Sequence, residues 1–535
     1  MIVSWDWLQQ YVKLPVSADE FGERVMMAGL NLESVEPKGA DVAVDLEVTS
    51  NRVDCLGHIG VAREAAVCFD VPLSIPAAEP ATSATATSTV TSVTIENPDQ
   101  CPRYIARVIK GVKVGPSPAW LRDRLETVGI ASINNVVDVT NYVLMECGQP
   151  LHAFDFDKLA EKRIVVRRGR ANETIQAIDH KEYKLTPDMC VIADAQRPVA
   201  IAGVMGGAST EISSSTSNVL IEVADFAPRS IRATARELKL HSDSSYRFER
   251  GVDPYQMDWA SRRCCELILQ VAGGELLAGS VDVGAAVPPE ADPVVLRFNQ
   301  LPRILGIEVP KAEVIRILTE LGCKKVAEIA DSASFAVPSW RRRDVTREID
   351  LIEEVARIYG YHKIPEDAIV PLTVSQKSLR DRVIDRVTEV LTGNGFFETI
   401  TLSLVDDKLA TLFNPRPIGK MLHIDHDKFS QLKSLRQSLI PSLLNARRHN
   451  ERQGSFNAKL FEIASVFLGA DPGNPETEPK SVGFVTGQSF AEVKGLLLAI
   501  AQRVNPTSTI SVRSSEAVGF VEGRGAEVLL NGQFW

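Results

Sequence analysis

The sequence lacks the features that mark secreted, disulfide-rich and membrane proteins. None of its eight cysteines belongs to a Cys-x-x-Cys pair, so neither a zinc ribbon nor a disulfide framework is predicted. A reducing cytoplasm is therefore the expected location. No apolar run approaches the roughly 18 residues of a membrane-spanning helix, so no membrane association is predicted. The opening stretch, MIVSWDWLQQYV, contains an acid and no Lys or Arg, unlike a signal peptide.

The familiar nucleotide-binding and hydrolase motifs are also missing. The chain has no GxxxxGK[ST] P-loop, no GxGxxG after a strand, no HExxH and no GxSxG elbow. The glycines of AGVMGGAS, at 202–209, could cradle a phosphate, but a tight turn or close backbone packing is the favoured interpretation. A net charge of -10, from 59 basic and 69 acidic residues, argues against a non-specific nucleic-acid binder. A large enzyme with one local nucleic-acid contact stays possible on this balance.

The length of the chain predicts several domains. At about 150 residues per domain, 535 residues predict three to four domains of mixed α+β structure. Shifts toward Ala, Ser, Thr and Pro predict linkers at 77–94, 285–293 and 366–377. They divide the chain into four units: 1–76, 95–285, 294–366 and 376–535.

Capping patterns predict where several helices begin and end. Ser17 and Glu20 form a capping box ahead of an apolar-periodic stretch that ends at Gly29. Pro310 is expected at the first position of a helix, and Ser378 is expected to cap another. The last residues, GAEVLLNGQFW, predict a strand, an Asn-Gly turn and a return strand too short to pair usefully.

An acidic set near residue 350 has the spacing of a cation site. Asp350, Glu353 and Glu354 stand at i, i+3 and i+4, on one face of a helix, and Asp344 lies six residues upstream. Oxygen-only clusters of this kind suit Mg²⁺. The alternative is a solvated helix face on which Glu353 and Arg357 form an ordinary i, i+4 ion pair.

Two basic runs and one apolar stripe remain open from the sequence. RRR at 341–343 and ARRHNER at 446–452 could touch RNA phosphates, but surface charge is the favoured interpretation. The stripe in LRQSLIPSLL is broken at Pro441 and suits either a core or a partner helix.

Four long motifs carry a family resemblance along essentially the whole chain. NNVVDVTNY, GQPLHAFD, RFERGVDP and LIEEVARIYGY occur in the order found in bacterial β subunits of phenylalanyl-tRNA synthetase, which this sequence closely resembles. The resemblance implies a cytoplasmic heterotetramer of two α and two β chains. The α chain would activate phenylalanine with ATP and charge tRNA(Phe).

The resemblance also implies the identity of each unit. Residues 1–76 match the N-terminal B1-type domain, and 95–285 match the B3/B4 domain that edits tRNA(Phe) mischarged with tyrosine. Residues 294–366 match the small, winged-helix-like B5 domain. Residues 376–535 match a degenerate class II synthetase domain with an antiparallel sheet. No convincing set of ATP-binding arginines is evident there, so this domain is expected to dock the α chain.

The family's editing positions can be carried over one at a time. The positions that bind the amino-acid and ester end fall on Thr140 and Asn141. The histidine that lines the site falls on His152, the glutamate that binds the tyrosine hydroxyl on Glu222, and the glycine whose backbone approaches the ligand on Gly203. The two positions at the wall of the slot fall on Ser242 and Ser244. Serines at the last two positions replace the family's usual Thr and Ala, so position 244 adds a hydroxyl to the pocket.

Taken alone, the same residues have plainer interpretations. His152 could be a structural histidine, and Glu222 could pair with Arg229 or Arg232. Thr140 and its neighbour could simply form a turn.

The family resemblance has consequences for metal binding and completeness. In the family, the positions of Asp344, Asp350, Glu353 and Glu354 form a Mg²⁺ site associated with the α–β interface, so all four are expected ligands. The resemblance leads us to expect that this sequence lacks the tRNA-binding OB-fold insert and the C-terminal anticodon-binding domain, and that a family member continues past Trp535. The alternative functions are a structural, tRNA-positioning subunit with weakened editing, or a free-standing RNA- or amino-acid-binding module.

Overall fold

The structure, a computed structural model, forms two compact units, Met1–Ala368 and Ile369–Trp535. It describes residues 1–285, 292–367, 369, 372–410, 412–413, 421–424, 432–469, 473–516 and 519–535. Most of the predicted 285–293 linker, and positions 368 and 370–371 of the predicted 366–377 linker, lie outside the described residues. In the part of the chain that is described, no helix has the length and apolarity to cross a bilayer.

Eleven α-helices occur among the described residues of the first unit, and several begin or end where the capping patterns predict. They are α1 Trp5–Leu8, α2 Ala18–Met27, α3 His58–Phe69, α4 Ala119–Thr127, α5 Val137–Cys147, α6 Pro228–Leu238, α7 Asp243–Phe248, α8 Met257–Ala272, α9 Gln300–Leu305, α10 Lys311–Glu320 and α11 Glu348–Tyr359. Ser17 caps α2 by accepting from the backbone N–H of Glu20. Pro310 is the N-cap of α10, one residue earlier than predicted.

The strands of the first unit form several small sheets. They are β1 Ile2–Ser4, β2 Asn31–Lys38, β3 Asp41–Glu47, β4 Ser92–Ile95, β5 Arg103–Lys110, β6 Leu151–Asp155, β7 Arg163–Arg168, β8 Thr174–Gln176, β9 Glu182–Lys184, β10 Cys190–Ala193, β11 Pro198–Ile201, β12 Met205–Gly206, β13 Asn218–Asp225, β14 Glu275–Leu276, β15 Val281–Gly284, β16 Val294–Arg297, β17 Lys324–Glu328 and β18 Ser332–Ala336. The larger sheets have the orders β12-β11-β10-β7-β4 and β14-β5-β13-β6. β4 begins inside the predicted 77–94 linker, because its SVTI sequence pairs in parallel with β7.

The sheet that contains β5, β13 and β6 is buried on both faces, and successive residues of each strand alternate between two cores. Val219 and Ile221 pack into a core that includes α5 and α8. Leu220 and Ala224 pack into a second core shared with the sheet of β7 and β10. This alternation places position 222 on the same face as Leu220 and Ala224.

The core of the first 76 residues continues into the next region of the chain. Trp7 stacks on Tyr142 of α5 with ring centroids 4.1 Å apart. The Tyr11 hydroxyl donates to Glu146 at 2.7 Å. The two regions therefore share buried side chains and do not merely touch at their surfaces.

The second unit has four α-helices and eight strands among its described residues. They are α12 Leu379–Gly393, α13 Asp407–Ala410, α14 Ile440–Arg452, α15 Phe490–Val504, β19 Phe397–Glu398, β20 Leu404–Val405, β21 Ser434–Leu435, β22 Leu460–Ser465, β23 Lys480–Val485, β24 Ile510–Ser514, β25 Ala526–Leu530 and β26 Gln533–Phe534. Ser378 caps α12 as predicted. The sheet β19-β22-β23 is mixed, since β19 runs parallel to β22 and β23 antiparallel to it.

The structure decides one open alternative in this unit and corrects one prediction. Pro441 lies in the first turn of α14, where proline is tolerated. Leu439 and Leu443 are buried against β22 and β23, so these two leucines of the stripe belong to a core. The short return strand does pair, with Leu529 opposite Phe534, because the Asn-Gly turn reverses the chain directly.

Candidate active site

His152 and Glu222 are direct neighbours across two strands. The register of β6 and β13 pairs Glu222 with His152, so both side chains leave the sheet on the same face. Phe154, two residues along β6, meets the imidazole edge to face at 4.5 Å between ring centroids. The alternation of the strands therefore brings a carboxyl and an imidazole together on one face of the sheet.

Both polar groups lack protein partners. The Oε2 atom of Glu222 and the Nε2 atom of His152 are buried and make no hydrogen bond with any described residue. The interpretation of Glu222 as an ion-pair partner of Arg229 or Arg232 is therefore wrong. A satisfied structural role for His152 is equally inconsistent with its open Nε2. Buried orphan atoms of this kind cost about 1–3 kcal/mol each and call for a ligand or water.

Burial also sets the protonation of the pair. Desolvation raises the pKa of Glu222 to about 8 and lowers the pKa of half-buried His152 to about 4. Near pH 7 both side chains are thus mostly uncharged. A protonated carboxyl can donate as well as accept a hydrogen bond, and a neutral imidazole can accept a proton.

Glycines in AGVMGG make room for this pair by close packing. A side chain at Gly206 would place its Cβ 2.5 Å from Cε1 of His152. Gly203 has φ +67°, and a Cβ there would lie 2.8–3.0 Å from Ile231, Phe226 and Phe248. Close backbone packing, the interpretation favoured for these glycines, is confirmed.

A pocket of about 60 Å³ opens at this point. Its lining includes the predicted His152, Gly203, Glu222 and Ser244, together with Phe248. The volume is less than half of the roughly 150 Å³ that holds a benzene ring in an engineered cavity. A phenol ring therefore needs the wall to move outward on entry.

Three predicted residues stand outside this lining. Thr140 and Asn141 lie within α5, so the turn interpretation is wrong, and the Thr140 hydroxyl donates to the Val137 carbonyl at 2.7 Å. Ser242 caps α7, and its hydroxyl donates to the Val204 carbonyl at 2.8 Å. Ser242 therefore fixes the wall of the pocket and does not line it. Their roles at the ester end and slot wall stay predictions.

Gly206 and Phe248 are among the lining residues to which sequence reasoning gave no role. The family match assigns a role only to Gly203 within the AGVMGG motif. Phe248 lies in the RFERGVDP motif, whose spacing gives no sign that its ring faces a strand 26 residues earlier in the chain. Only tertiary packing brings it there, since Phe248 shares a buried core with Leu220 and Ala224 of β13.

The four predicted magnesium ligands lie apart from this pocket and have different environments. The guanidinium of Arg341 donates to Asp344 at 2.7 Å and to both oxygens of Glu354 at 2.7 and 2.9 Å. Arg357 donates to Glu354 and to Glu64 of α3. Although burial opposes it, the charges of Arg357 and Arg341 hold the pKa of Glu354 well below its usual range.

The remaining two acids do not complete a cluster. Asp350 accepts the backbone N–H groups of Thr346 and Arg347 at 3.0 and 2.8 Å and so caps α11. Glu353 is exposed. No three of the predicted ligands bring oxygens within 4.8 Å of one another in the described residues. The present arrangement therefore does not fit a preformed Mg²⁺ site.

Two further interpretations, the Glu353–Arg357 ion pair and the surface position of Arg341, are also wrong. Arg357 pairs with Glu354 and Glu64, so the expected Glu353–Arg357 ion pair is wrong. Arg341, interpreted as surface charge, is 5% exposed because these carboxylates draw it into the interior.

One tight group of possible metal ligands does occur, and a guanidinium already occupies it. Asp54, Cys55 and Glu64 bring ligand atoms within 4.8 Å of one another. Arg52 donates to all three, at 2.8, 3.0 and 2.5 Å. The arginine takes the place that a cation would need.

Comparison with known proteins matches three stretches of the chain to family models. The B3/4 domain matches residues 100–273, and the tRNA synthetase B5 domain matches 294–361. The phenylalanyl tRNA synthetase beta chain CLM domain matches 364–534. The pocket at His152 and Glu222 thus lies within the B3/4 match, and the acidic set lies within the B5 match.

Individual relatives agree with these matches. The phenylalanine–tRNA ligase beta subunit of Rhodopirellula baltica is 47% identical over 99% of this chain and 78% of its own length. That of Anaeromyxobacter dehalogenans is 41% identical over 86% of this chain, which spans only 56% of that relative. An N-terminal fragment of the Pyrococcus horikoshii phenylalanyl-tRNA synthetase beta subunit is 16% identical, with 67% and 99% of the two chains covered and a TM-score of 0.40, a likeness that carries no argument. By the extent of its match to the first of these relatives, the chain belongs to the phenylalanine–tRNA ligase beta subunit family.

Proposed function

We propose that this chain is the β subunit of a phenylalanine–tRNA ligase and that its pocket at His152 and Glu222 hydrolyses tRNA(Phe) mischarged with tyrosine. The observation that supports this most is the pair of buried polar atoms without partners on adjacent strands. A tyrosyl ester would supply both partners: its phenol for Glu222 and its attacking water for His152.

The need for such a site follows from the limits of binding. A hydrophobic pocket shaped for phenylalanine rejects an added hydroxyl by only about 100-fold. A site that hydrogen-bonds the hydroxyl discriminates by about 10⁴–10⁵, because phenylalanine would leave its polar groups unpaired. Protonated Glu222 meets this requirement, since its buried oxygen gains a partner only from tyrosine.

In the proposed reaction, water attacks the ester carbon that joins tyrosine to the terminal ribose. Nε2 of neutral His152 accepts a proton from this water. The bond between the carbon and the ribose oxygen then breaks, and the ribose oxygen takes up the proton. Tyrosine and uncharged tRNA are released, and no covalent enzyme intermediate is needed.

The second unit supports a role in docking the α chain. Phe397 of the edge strand β19 is 72% exposed, and Ile400 and Leu402, just beyond it, are 97% and 71% exposed. Apolar groups at a sheet edge are typical of interaction surfaces. The proposed partners are the α chain, in a heterotetramer of two α and two β chains, and tRNA(Phe); ATP is used by the holoenzyme in the cytoplasm.

Magnesium binding by Asp344, Asp350, Glu353 and Glu354 stays a prediction that the present geometry does not favour. Glu354 would have to exchange two arginines for the ion. Titration calorimetry with Mg²⁺ alone tests it: binding that is lost in Glu353→Gln, whose side chain is exposed, would support a site there. An identical titration for both proteins would count against it.

The decisive experiment for editing measures deacylation of Tyr-tRNA(Phe) by the purified chain with the α chain added. Deacylation is expected in the wild type and is expected to fall at least 100-fold in Glu222→Ala and in His152→Ala. Glu237→Ala, an exposed glutamate of α6, is the matched control and should keep full activity. Phe-tRNA(Phe) is the control substrate.

The outcomes separate the alternatives. No deacylation by the wild type with the α chain present would favour a structural subunit. Failure of the two chains to co-elute on gel filtration would favour a free-standing module. Loss of co-elution in Ile400→Lys would support the proposed docking edge.

A further inference from the structure

A second, larger cavity of about 400 Å³ lies where residues from three regions of the first unit meet. Its lining comes from the stretches 50–63, 147–149, 250–256 and 339–344. The volume is within the roughly 300–1,000 Å³ of small-molecule sites and is too small for a duplex. The editing proposal makes no use of this cavity.

Four arginines line the cavity, and two of them are free to bind a ligand. Arg63 and Arg343 make no hydrogen bond or ion pair with any residue in the described ranges. The Cζ atom of Arg63 lies over the ring of Trp340, 4.0 Å from its centroid, a contact that stabilises the position of the guanidinium. Burial also lowers the pKa of Arg63, although nearby carboxylates partly offset this, so an anion bound in the cavity would further stabilise the charged guanidinium.

Arg343 and Arg250 add to this cationic lining. Arg343 is exposed and lies on the backbone of Gly251, where an added Cβ would overlap its guanidinium. Arg250 stacks on Tyr246 and pairs with Glu249.

Within the described residues, the carboxylates of the lining form no ion pair with Arg63 or Arg343, although Asp54 and Asp253 lie near enough to favour the charge of Arg63. Asp54 is held by Arg52 and Asp344 by Arg341, so both already have cationic partners. Asp253 accepts instead from the hydroxyl of Ser339 at 2.6 Å.

Gln149 adds an acceptor to the same space. It is 2% exposed, its amide nitrogen donates to two backbone carbonyls, and its Oε1 has no partner among the described residues. A ligand for this cavity should therefore carry both an anionic group and a hydrogen-bond donor, as a ribonucleotide does.

Two chain segments connect this cavity to the pocket at Glu222. Gln149 lines the cavity, and His152, three residues later, lines the pocket. Likewise Ser244 and Phe248 line the pocket, and Arg250 lines the cavity. Three residues span at most about 10 Å, so the two spaces are within reach of one nucleotide and its ester.

We propose that this three-region cavity binds the phosphate-bearing 3′-terminal nucleotides of the tRNA whose aminoacyl ester enters the pocket at His152 and Glu222. The proposal rests on the editing function proposed above. Arg63 and Arg343 contact phosphate, and Gln149 accepts from a ribose hydroxyl or a base amino group. Arginine suits this role because its planar fork matches phosphate oxygens.

A binding experiment tests the cavity without reference to hydrolysis. A fluorescein-labelled RNA tetranucleotide ending in CCA is titrated with the full chain and followed by anisotropy. Arg343→Met should weaken binding about tenfold, as should Arg63→Met, because each removes a charge-assisted hydrogen bond. The slope of log K against log salt should become shallower by about 0.7 for each phosphate that loses its arginine. Arg122→Met, an exposed residue of α4 paired with Asp123, is the matched control and should bind like the wild type.

A competition experiment distinguishes binding of an RNA end from binding of a free mononucleotide. Unlabelled AMP should compete at least 100-fold less well than the tetranucleotide if the site takes an RNA end. Equal competition by AMP would overturn the RNA assignment. Wild-type affinity in both Arg343→Met and Arg63→Met, with unchanged thermal unfolding, would overturn the cavity assignment. Because Arg343 is exposed, its variant should fold even if Arg63→Met does not, and Arg63→Lys should regain part of the lost affinity.

Kinetics distinguish this inference from the editing proposal. Arg343→Met should raise KM for Tyr-tRNA(Phe) deacylation about tenfold with kcat unchanged, whereas Glu222→Ala should lower kcat. Weaker RNA binding in Arg343→Met without any deacylation by the wild type would leave the cavity supported and editing refuted. Unchanged KM and RNA affinity in Arg343→Met, together with a lower kcat in Glu222→Ala, would support editing and refute the cavity assignment.

Discussion

The buried carboxyl of Glu222 should make the stability of the first unit fall as pH rises. Its folded-state pKa of about 8 lies above the ordinary 4.5, so the native state holds a proton that the unfolded chain releases. A raised pKa of this kind stabilises the folded state fully at a pH below the unfolded-state pKa. This stabilisation is lost as the pH rises through the folded-state pKa. With 1.36 kcal/mol per pH unit over this window, the loss between pH 5 and pH 9 is about 4 kcal/mol.

Glu222→Gln removes this titration while preserving size and polarity. Wild type and variant should differ little in their free energy of unfolding at pH 5. The variant should become the more stable protein by about 3 kcal/mol at pH 7 and about 4 kcal/mol at pH 9. Urea unfolding followed by tryptophan fluorescence is a suitable assay, because five of the six tryptophans lie in Met1–Ala368.

The control for this experiment is Glu237→Gln, an exposed glutamate in the same unit. It should follow the wild-type pH dependence. Parallel curves for Glu222→Gln and the wild type from pH 5 to 9 would refute the reasoning. They would mean that water or an unrecognised partner solvates the carboxylate.

Four further predictions concern other parts of the chain. Arg357→Met removes one of the two arginines that pair with Glu64 and with Glu354, and should lower the free energy of unfolding by up to about 3 kcal/mol in urea at pH 7. Leu443→Ala opens a cavity in the second unit and should cost about 2–5 kcal/mol in thermal or urea unfolding of that unit. Burial lowers the pKa of His58 to about 4, so the wild type should lose up to about 3 kcal/mol as pH falls from 6.5 to 4, and the stability gap to His58→Gln should narrow over that range. Gly206→Ala should displace the imidazole of His152 and reduce Tyr-tRNA(Phe) deacylation at least tenfold in a single-turnover assay, since its Cβ would lie 2.5 Å from the ring.

Each of these has a result that would contradict it. A cost below about 1 kcal/mol in Arg357→Met would show that the network is solvated. The same small cost in Leu443→Ala would show that its site collapses freely. A constant gap between wild type and His58→Gln would exclude titration of that imidazole. Gly115→Ala, where an added Cβ meets nothing within 4 Å, is the control for Gly206→Ala, and equal activities would contradict the packing argument.

The sequence by itself determined the local elements and the family. Helix starts at Ser17 and Ser378 follow from hydroxyls that cap the backbone within three residues. Such signals are read correctly because every group involved is close in sequence. The long motifs identified the family for a related reason, since each keeps its residues in one continuous stretch.

Only the tertiary structure decided which distant charges meet. Arg341 looked like surface charge, and Glu354 looked like a metal ligand, until folding placed both beside Arg357 and Glu64. The pairing of His152 with Glu222 likewise depends on strand register, which joins residues 70 positions apart. Burial then set their protonation and left the two atoms without partners. Contacts of this range depend on how whole elements pack, so no local pattern in the sequence encodes them.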